Sequence, residues 1–345
     1  MKINNLKAAA AIGLSAMFVG SAAAQESVSA PVGYETLSYT AGFNYLGLRL
    51  VEAPVASGAS VSAAGDVITV ANGVADSLVL ETEYLFEATS GDAAGIITTI
   101  TAFDAASDTV TLSDDISGDF EDGSEFIIRP VDTLASIFGS DNDVANSGSG
   151  LVSTGAFAGS DQVWVPDGAG DFAMYAFVAG NPFEGTVDSW QNSNGDIVDP
   201  ATIQLVYTDG VIINAVAAGD LIISGSVKVE PVQFALTTTF NYLSSIYPAG
   251  LTLAETELEN VLVSTGAFAG SDQVWLPDGS GDFDMFAFVQ GNPFEGTVAG
   301  WQDSDGNSVD PTQISFEDNS GMIIVRAGGN AQMVAFDSPD FYDTL

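Results

Sequence analysis

An all-β fold is predicted for this chain, and three observations predict it. Short runs rich in β-branched and aromatic residues alternate with Gly, Pro, Asn and Asp clusters along most of its length. Helical periodicity is rare, and only 132–138 and 254–259 offer a turn or two. Residues 151–199 recur without a gap at 262–310, with 38 of 49 positions identical, so one structural unit is present twice.

The elements follow in chain order. The first 24 residues read as an export signal: Lys2 and Lys7 give a basic start, an apolar run follows, and Ala22, Ala23 and Ala24 offer a small-residue cleavage site. Extended stretches are predicted at 34–39, 67–70, 77–80, 84–88, 96–103, 109–112 and 125–129, with a hairpin across 104–108. Residues 162–165 and 172–178 form a second hairpin, and the repeat places the same one at 273–276 and 283–289. Further strands fall at 203–207, 211–216 and 221–229, separated by turns at Asp209 and Gly210 and at Gly219 and Asp220. Strand 172–178 is apolar on both faces, the pattern of a strand buried on two sides.

The duplication reaches beyond the long block. Phe43, Asn44, Tyr45 and Leu46 reappear as Phe240, Asn241, Tyr242 and Leu243. Between that motif and the repeated block lie 104 residues in the first copy and 18 in the second. The difference of 86 residues is about one small domain. The expected organisation is therefore a signal peptide at 1–24, a first β module from 25–52 plus 131–225, a small inserted β-barrel at 53–130, and a second module at 226–345. Both modules should be β-sandwich-like.

Composition removes several function classes. After the signal only Arg49, Arg129, Lys228 and Arg326 are basic against 46 acids, a formal charge of −42. Such a surface repels phosphate backbones, so nucleic acid is not an expected partner. No later run is long and apolar enough for a transmembrane helix. With neither Cys nor His, zinc, haem, iron–sulfur and Cys/His catalytic sites fall together.

Individual motifs are weaker. Val-Ser-Thr-Gly occurs at 152–155 and 263–266, as in two-lobed aspartic proteases, but Ser153 and Ser264 stand where a carboxylate pair must share a proton. Glu184 and Glu295 sit in identical contexts, yet glycoside hydrolysis needs two carboxylates across one bond. An enzyme is not expected. Asp303, Asp305, Asn307 and Asp310 alternate oxygen side chains around Gly306, which suits either calcium or a polar hairpin turn. Trp164, Trp190, Trp275 and Trp301 are candidate platforms for a sugar face or, equally, core residues.

Pro31 to Tyr34, Phe43 to Leu48, Thr89 to Gly95, Arg129 to Phe138, Ser160 to Val163 and Gly219 to Gly225 together carry a resemblance. On them the chain resembles an uncharacterised family of secreted bacterial paralogues of the verrucomicrobial type. The resemblance implies export and a β-rich fold, and no activity or site residue. The chain departs from it in its second, shortened copy at 226–345. The expected function is a secreted, acidic structural or surface-interaction protein of the cell envelope or matrix, self-associating and calcium-responsive. The alternative is a carbohydrate-binding or adhesin module using the repeated Trp residues.

Overall fold

The computed structural model describes residues 32–167, 170–183, 185–291, 298–316, 321–340 and 342. The expected signal peptide lies outside them. Strands β1 (Val32–Tyr39), β2 (Gly42–Gly47) and β3 (Leu50–Val51) come first. Six strands follow: β4 (Ala56–Ala64), β5 (Val67–Val70), β6 (Tyr84–Ala88), β7 (Ile97–Asp104), β8 (Thr109–Leu112) and β9 (Glu125–Pro130). The chain continues through β10 (Asp132–Thr133), helices α1 (Leu134–Phe138) and α2 (Ala145–Gly148), β11 (Gln162–Pro166), β12 (Phe172–Val178), β13 (Ser189–Asn192), β14 (Gln204–Leu205), β15 (Gly210–Ala215) and β16 (Gly219–Val227). The last set is β17 (Val232–Leu236), β18 (Phe240–Ser244), β19 (Gln273–Pro277), β20 (Phe283–Val289), β21 (Gly300–Asp303), β22 (Gly321–Val325) and β23 (Gln332–Phe336).

The protein is all-β, as expected, and contains the small closed barrel, in the order β4-β5-β8-β7-β6-β9. Rings of Phe86, Phe120 and Phe126 fill its interior, at centroid separations of 5.0 and 5.5 Å. One strand was misplaced. Residues 77–80 are the end of a short 3-10 turn at Ala75–Ser77 and the loop after it, not a strand, and β4 takes part in the barrel instead. Its Ala, Ser and Gly residues carry almost no hydrophobic alternation, so no period-two signal was there to read. Small side chains suit that position, since a Cβ on Gly58 would already touch the Phe126 ring at 3.8 Å.

The repeat folds twice in the same way. In the first copy β2-β15-β11-β12-β13 form one sheet, and in the second β18-β22-β19-β20-β21 take the same order. A second sheet accompanies each, β1-β16-β3 in the first and β17-β23 in the second. Register repeats too: Trp164 lies opposite Met174 and Ile212, and Trp275 opposite Met285 and Ile323. In the first copy α2 packs on β16, and α1 packs on β10 and the 3-10 turn at Pro200–Thr202. In the second, a left-handed Glu257 leads into a single 3-10 turn at Leu258–Asn260.

The two copies meet through equivalent elements. Tyr45 of β2 and its counterpart Tyr242 of β18 have ring centroids 5.8 Å apart. Around them β2 packs on β22 while β18 packs on β15, a reciprocal arrangement that a two-fold relation produces. The Tyr45 ring fits only because both neighbours are glycine. A Cβ on Gly321 would lie 2.6 Å from the ring, and one on Gly210 would lie 2.2 Å from the hydroxyl. The hydroxyl itself is buried without a hydrogen-bond partner. Gly321→Val should therefore cost about 1–3 kcal/mol through overpacking. Tyr45→Phe should be neutral or raise stability by about 1 kcal/mol, since it removes an unsatisfied polar group. Denaturant unfolding of both variants checks the pair, and a Tyr45→Phe loss of several kcal/mol would contradict it.

All four basic residues among those described lie inside. Arg49, Arg129, Lys228 and Arg326 are between 1 and 6% exposed, and each is ion-paired. Three of them sit where units join. Arg49 pairs with Glu35 of β1 and donates from Nη1 to the Phe316 carbonyl of the second copy at 3.0 Å. Glu87 of the barrel receives Arg129 Nε at 2.6 Å, Lys228 Nζ at 2.8 Å and the Tyr207 hydroxyl at 2.8 Å. Apolar packing follows the same route, with Leu85, Val131 and Tyr207 sharing one buried cluster with Val274, Phe316 and Phe336.

Candidate functional site

Much of what makes the repeated block conspicuous is internal scaffolding. Asp161 is fully buried and accepts the N–H groups of Val152 and Val216 at 2.7 and 2.5 Å. Asp272 does the same for Val263 and Ala327 at 2.8 and 2.7 Å, and adds an ion pair with Arg326 at 2.6 Å. Position 215 in the first copy is Ala, and there burial pushes the Asp161 carboxyl above its ordinary range despite the two N–H donors. Ser160 and Ser271 accept from Thr154 and Thr265 N–H, both at 2.9 Å. Asn44 and Asn241 each bond back to the turn that precedes them, at Thr40 and Thr237. These side chains satisfy backbone groups that no sheet partner reaches. Ser153 and Ser264 belong to the same turns. Glu184 and Glu295 lie outside the described residues.

The acidic loop is organised as a turn. Asp303 Oδ1 accepts from Asp305 and Asn307 N–H at 3.0 and 2.8 Å, and Oδ2 accepts from the Asn307 amide at 2.9 Å. Those bonds, the Asn307 side chain foremost, hold the Asp303 carboxyl below its ordinary range. Asp310 accepts from Thr312 N–H at 3.0 Å and hydroxyl at 2.7 Å, capping the 3-10 turn that follows. Among the described residues no group of three or more acidic side chains converges on a point where a metal would sit.

The four tryptophans divide into two pairs. Trp190 and Trp301 are core residues, packed edge-on against Phe177 and Phe288 at 5.7 and 5.8 Å. Trp190 Nε1 donates to the Gly139 carbonyl after α1, whereas Trp301 Nε1 has no partner because the second copy carries no such helix there. Trp164 and Trp275 are half-buried on the outer faces of their sheets. Their surroundings match closely. Phe43 meets Trp164 at 5.1 Å and 78°, and Phe240 meets Trp275 at 6.1 Å and 77°. Phe172 and Phe283 flank them at 6.2 and 6.0 Å. Each indole N–H donates to the Gln two residues before it, Gln162 at 3.0 Å and Gln273 at 2.8 Å.

These clusters are joined. Phe172 of the first copy stands against Tyr242 of the second at 4.6 Å, and Tyr242 stacks on Phe240 at 6.3 Å. Phe43, Trp164, Phe172, Tyr242, Phe240, Trp275 and Phe283 thus form one chain of ring contacts, and none of the seven is buried. The outer face of β12, read from sequence as a second buried layer, is part of this band.

Both ends of the band border one cavity of about 550 Å³, within the usual size of a ligand site. Phe43, Tyr45 and Ile212 of the first copy form one wall, and Pro277, Phe283 and Ile323 of the second form the other. Across the two-fold the pairing differs: Phe172 meets the Tyr242 ring at 4.6 Å, whereas Tyr45 is held between Gly210 and Gly321. The polar lining includes Thr36, Ser38, Thr40, Asn44, Asp282 and the Arg49–Glu35 pair. Arg49 is already neutralised, so the cavity offers no free cation. The cleft leaves no local signal in the sequence, because its walls come from segments far apart in the chain, such as those of Phe43 and Phe283.

No protein-family model, curated protein or solved structure matches this chain.

Proposed function

We propose that the chain is an exported, non-catalytic surface-interaction protein that holds a neutral, hydroxyl-rich ligand, a glycan, against the aromatic walls between its two copies. The observation that carries this reading is the Trp–Gln pair, present in both copies with the same flanking rings. The indole N–H occupies the glutamine oxygen, which leaves the amide N–H donors at the edge of a half-exposed ring. A sugar presents an apolar C–H face beside hydroxyl acceptors, and that pairing matches a ring beside an amide. Charge supports neutrality: with every described cation buried and paired, an anionic ligand meets only repulsion.

The test is titration of the mature protein with a panel of neutral oligosaccharides, alongside Phe283→Ala and Trp275→Ala. Removing either ring should weaken binding about tenfold, equivalent to about 1.4 kcal/mol, with the circular dichroism spectrum unchanged. Full affinity in both variants would remove the cleft from the reading.

A second reading, self-association bridged by calcium in an envelope or matrix, is favoured by the exterior that keeps no cation of its own among the described residues. Copies can then approach only when salt or a divalent ion screens their charge. Sedimentation with and without millimolar calcium decides it, and an unchanged monomer at every ionic strength rejects it.

A further inference from the structure

We infer that the ligand is an extended neutral polysaccharide lying along both copies, and not a compact sugar confined to the cleft; this rests on the glycan reading above. Trp164 and Trp275 are linked through Phe172, Tyr242 and Phe240 by ring contacts of 4.6 to 6.3 Å, so the apolar surface runs unbroken from one tryptophan to the other. No buried residue interrupts the path. A site for a single sugar would need one such cluster, and here the same cluster occurs twice with ring angles that agree within 3°.

The link between the copies makes the two clusters one surface. Phe172, from the first copy, bridges to Tyr242 and Phe240 of the second, so the path crosses the seam on rings alone. The seam itself is held by the Tyr45 ring between Gly210 and Gly321 and by Arg49 bonded across to Phe316. A linear polymer that reaches both tryptophans gains the second contact intramolecularly. Such linkage raises avidity by about 10²–10⁴ over either contact alone. Each cluster also contributes its own Gln amide, so the donors recur along the path at Gln162 and Gln273. A repeating ligand matches a repeating set of donors.

The experiment uses the full mature chain and calorimetric titration with neutral gluco-, xylo- and manno-oligosaccharides of graded length, from disaccharides upward. Affinity should rise steeply once the oligomer is long enough to reach both tryptophans, with one long chain bound per protein. Trp164→Ala and Trp275→Ala should each lower long-chain affinity at least tenfold, while short oligomers still bind the intact copy. Trp164→Phe and Trp275→Phe, which keep a ring, should recover much of the loss. Affinity independent of length, with each Ala variant removing one of two equal sites, overturns the extended chain and leaves the glycan reading standing. Binding of no neutral oligomer at any length overturns both. Loss of self-association in the Ala variants, without any effect of sugar, assigns the ring band to a second copy of this chain and likewise overturns the inference.

Discussion

Glu87→Gln should lower the midpoint of thermal unfolding by roughly 10 °C, the shift expected when removing one partner of a buried ion pair costs about 3–5 kcal/mol. Among the described residues Glu87 is the one carboxylate that Arg129 and Lys228 share, and all three side chains are at most 3% exposed. Burial by itself would raise the Glu87 carboxyl, but Lys228 and Arg129 outweigh it and hold it at about 2. Glutamine keeps the shape and removes the charge, leaving buried Arg129 without that carboxylate and Lys228 with its longer contact to Glu230 at 3.4 Å. The barrel, which contributes Glu87 and Arg129, and the segment carrying Lys228 should loosen together. Adding Lys228→Met to Glu87→Gln should restore part of the loss, because one of the stranded charges then disappears. Differential scanning calorimetry of the single and double variants checks this. A Glu87→Gln midpoint within 2–3 °C of wild type, about the effect of 1 kcal/mol, would show that the cluster contributes little.

Thermal stability should also rise on acidification from pH 8 to about 5 and fall again below about 4. Two junction carboxyls cause the rise. Burial, with Glu52 adding repulsion, pushes Asp132 up to about 7, against the opposing effects of Ser136 and Arg129. Burial likewise pushes Asp209 up to about 6, beside the cavity that also carries Asp114. A carboxyl whose folded value lies above its unfolded value favours the folded state at low pH. That contribution is lost as pH climbs through the folded value. Glu87 works in the opposite direction, since its value near 2 stabilises above the unfolded range near 4.5 and is lost as pH falls. Easing of the general negative charge adds to the acid-side gain. Asp132→Asn with Asp209→Asn should therefore raise the midpoint at pH 8 by about 5 °C or more, given that one pKa unit is about 1.4 kcal/mol. The same pair should change little at pH 4.5. Equal effects at both pH values would dismiss titration as the cause.

The fold class, the inserted barrel and the twofold repeat were legible because they rest on local patterns. Alternation at 109–112, turn residues at 104–108 and a block that recurs at 38 of 49 positions need no knowledge of distant neighbours. Strand β4 was not legible, since its small Ala, Ser and Gly residues carry no hydrophobic period and leave bulk to Phe126. Trp190 and Trp164 look alike in sequence, and only packing against Phe177 and the helix α1 region makes one core and the other surface.

What the sequence by itself determined is therefore the class of structure, the duplication and the charge, each a property of short windows or of composition. Which duplicated residues serve as scaffold was decided in three dimensions. Asp161 and Asp272 are spent on backbone N–H groups 55 residues further along the chain, a partnership set by the meeting of loops. The cleft and the ring band also belong to tertiary structure alone. They exist where Tyr45 of one copy enters a space left by Gly210 and Gly321, and a space between distant segments leaves no trace in the order of residues.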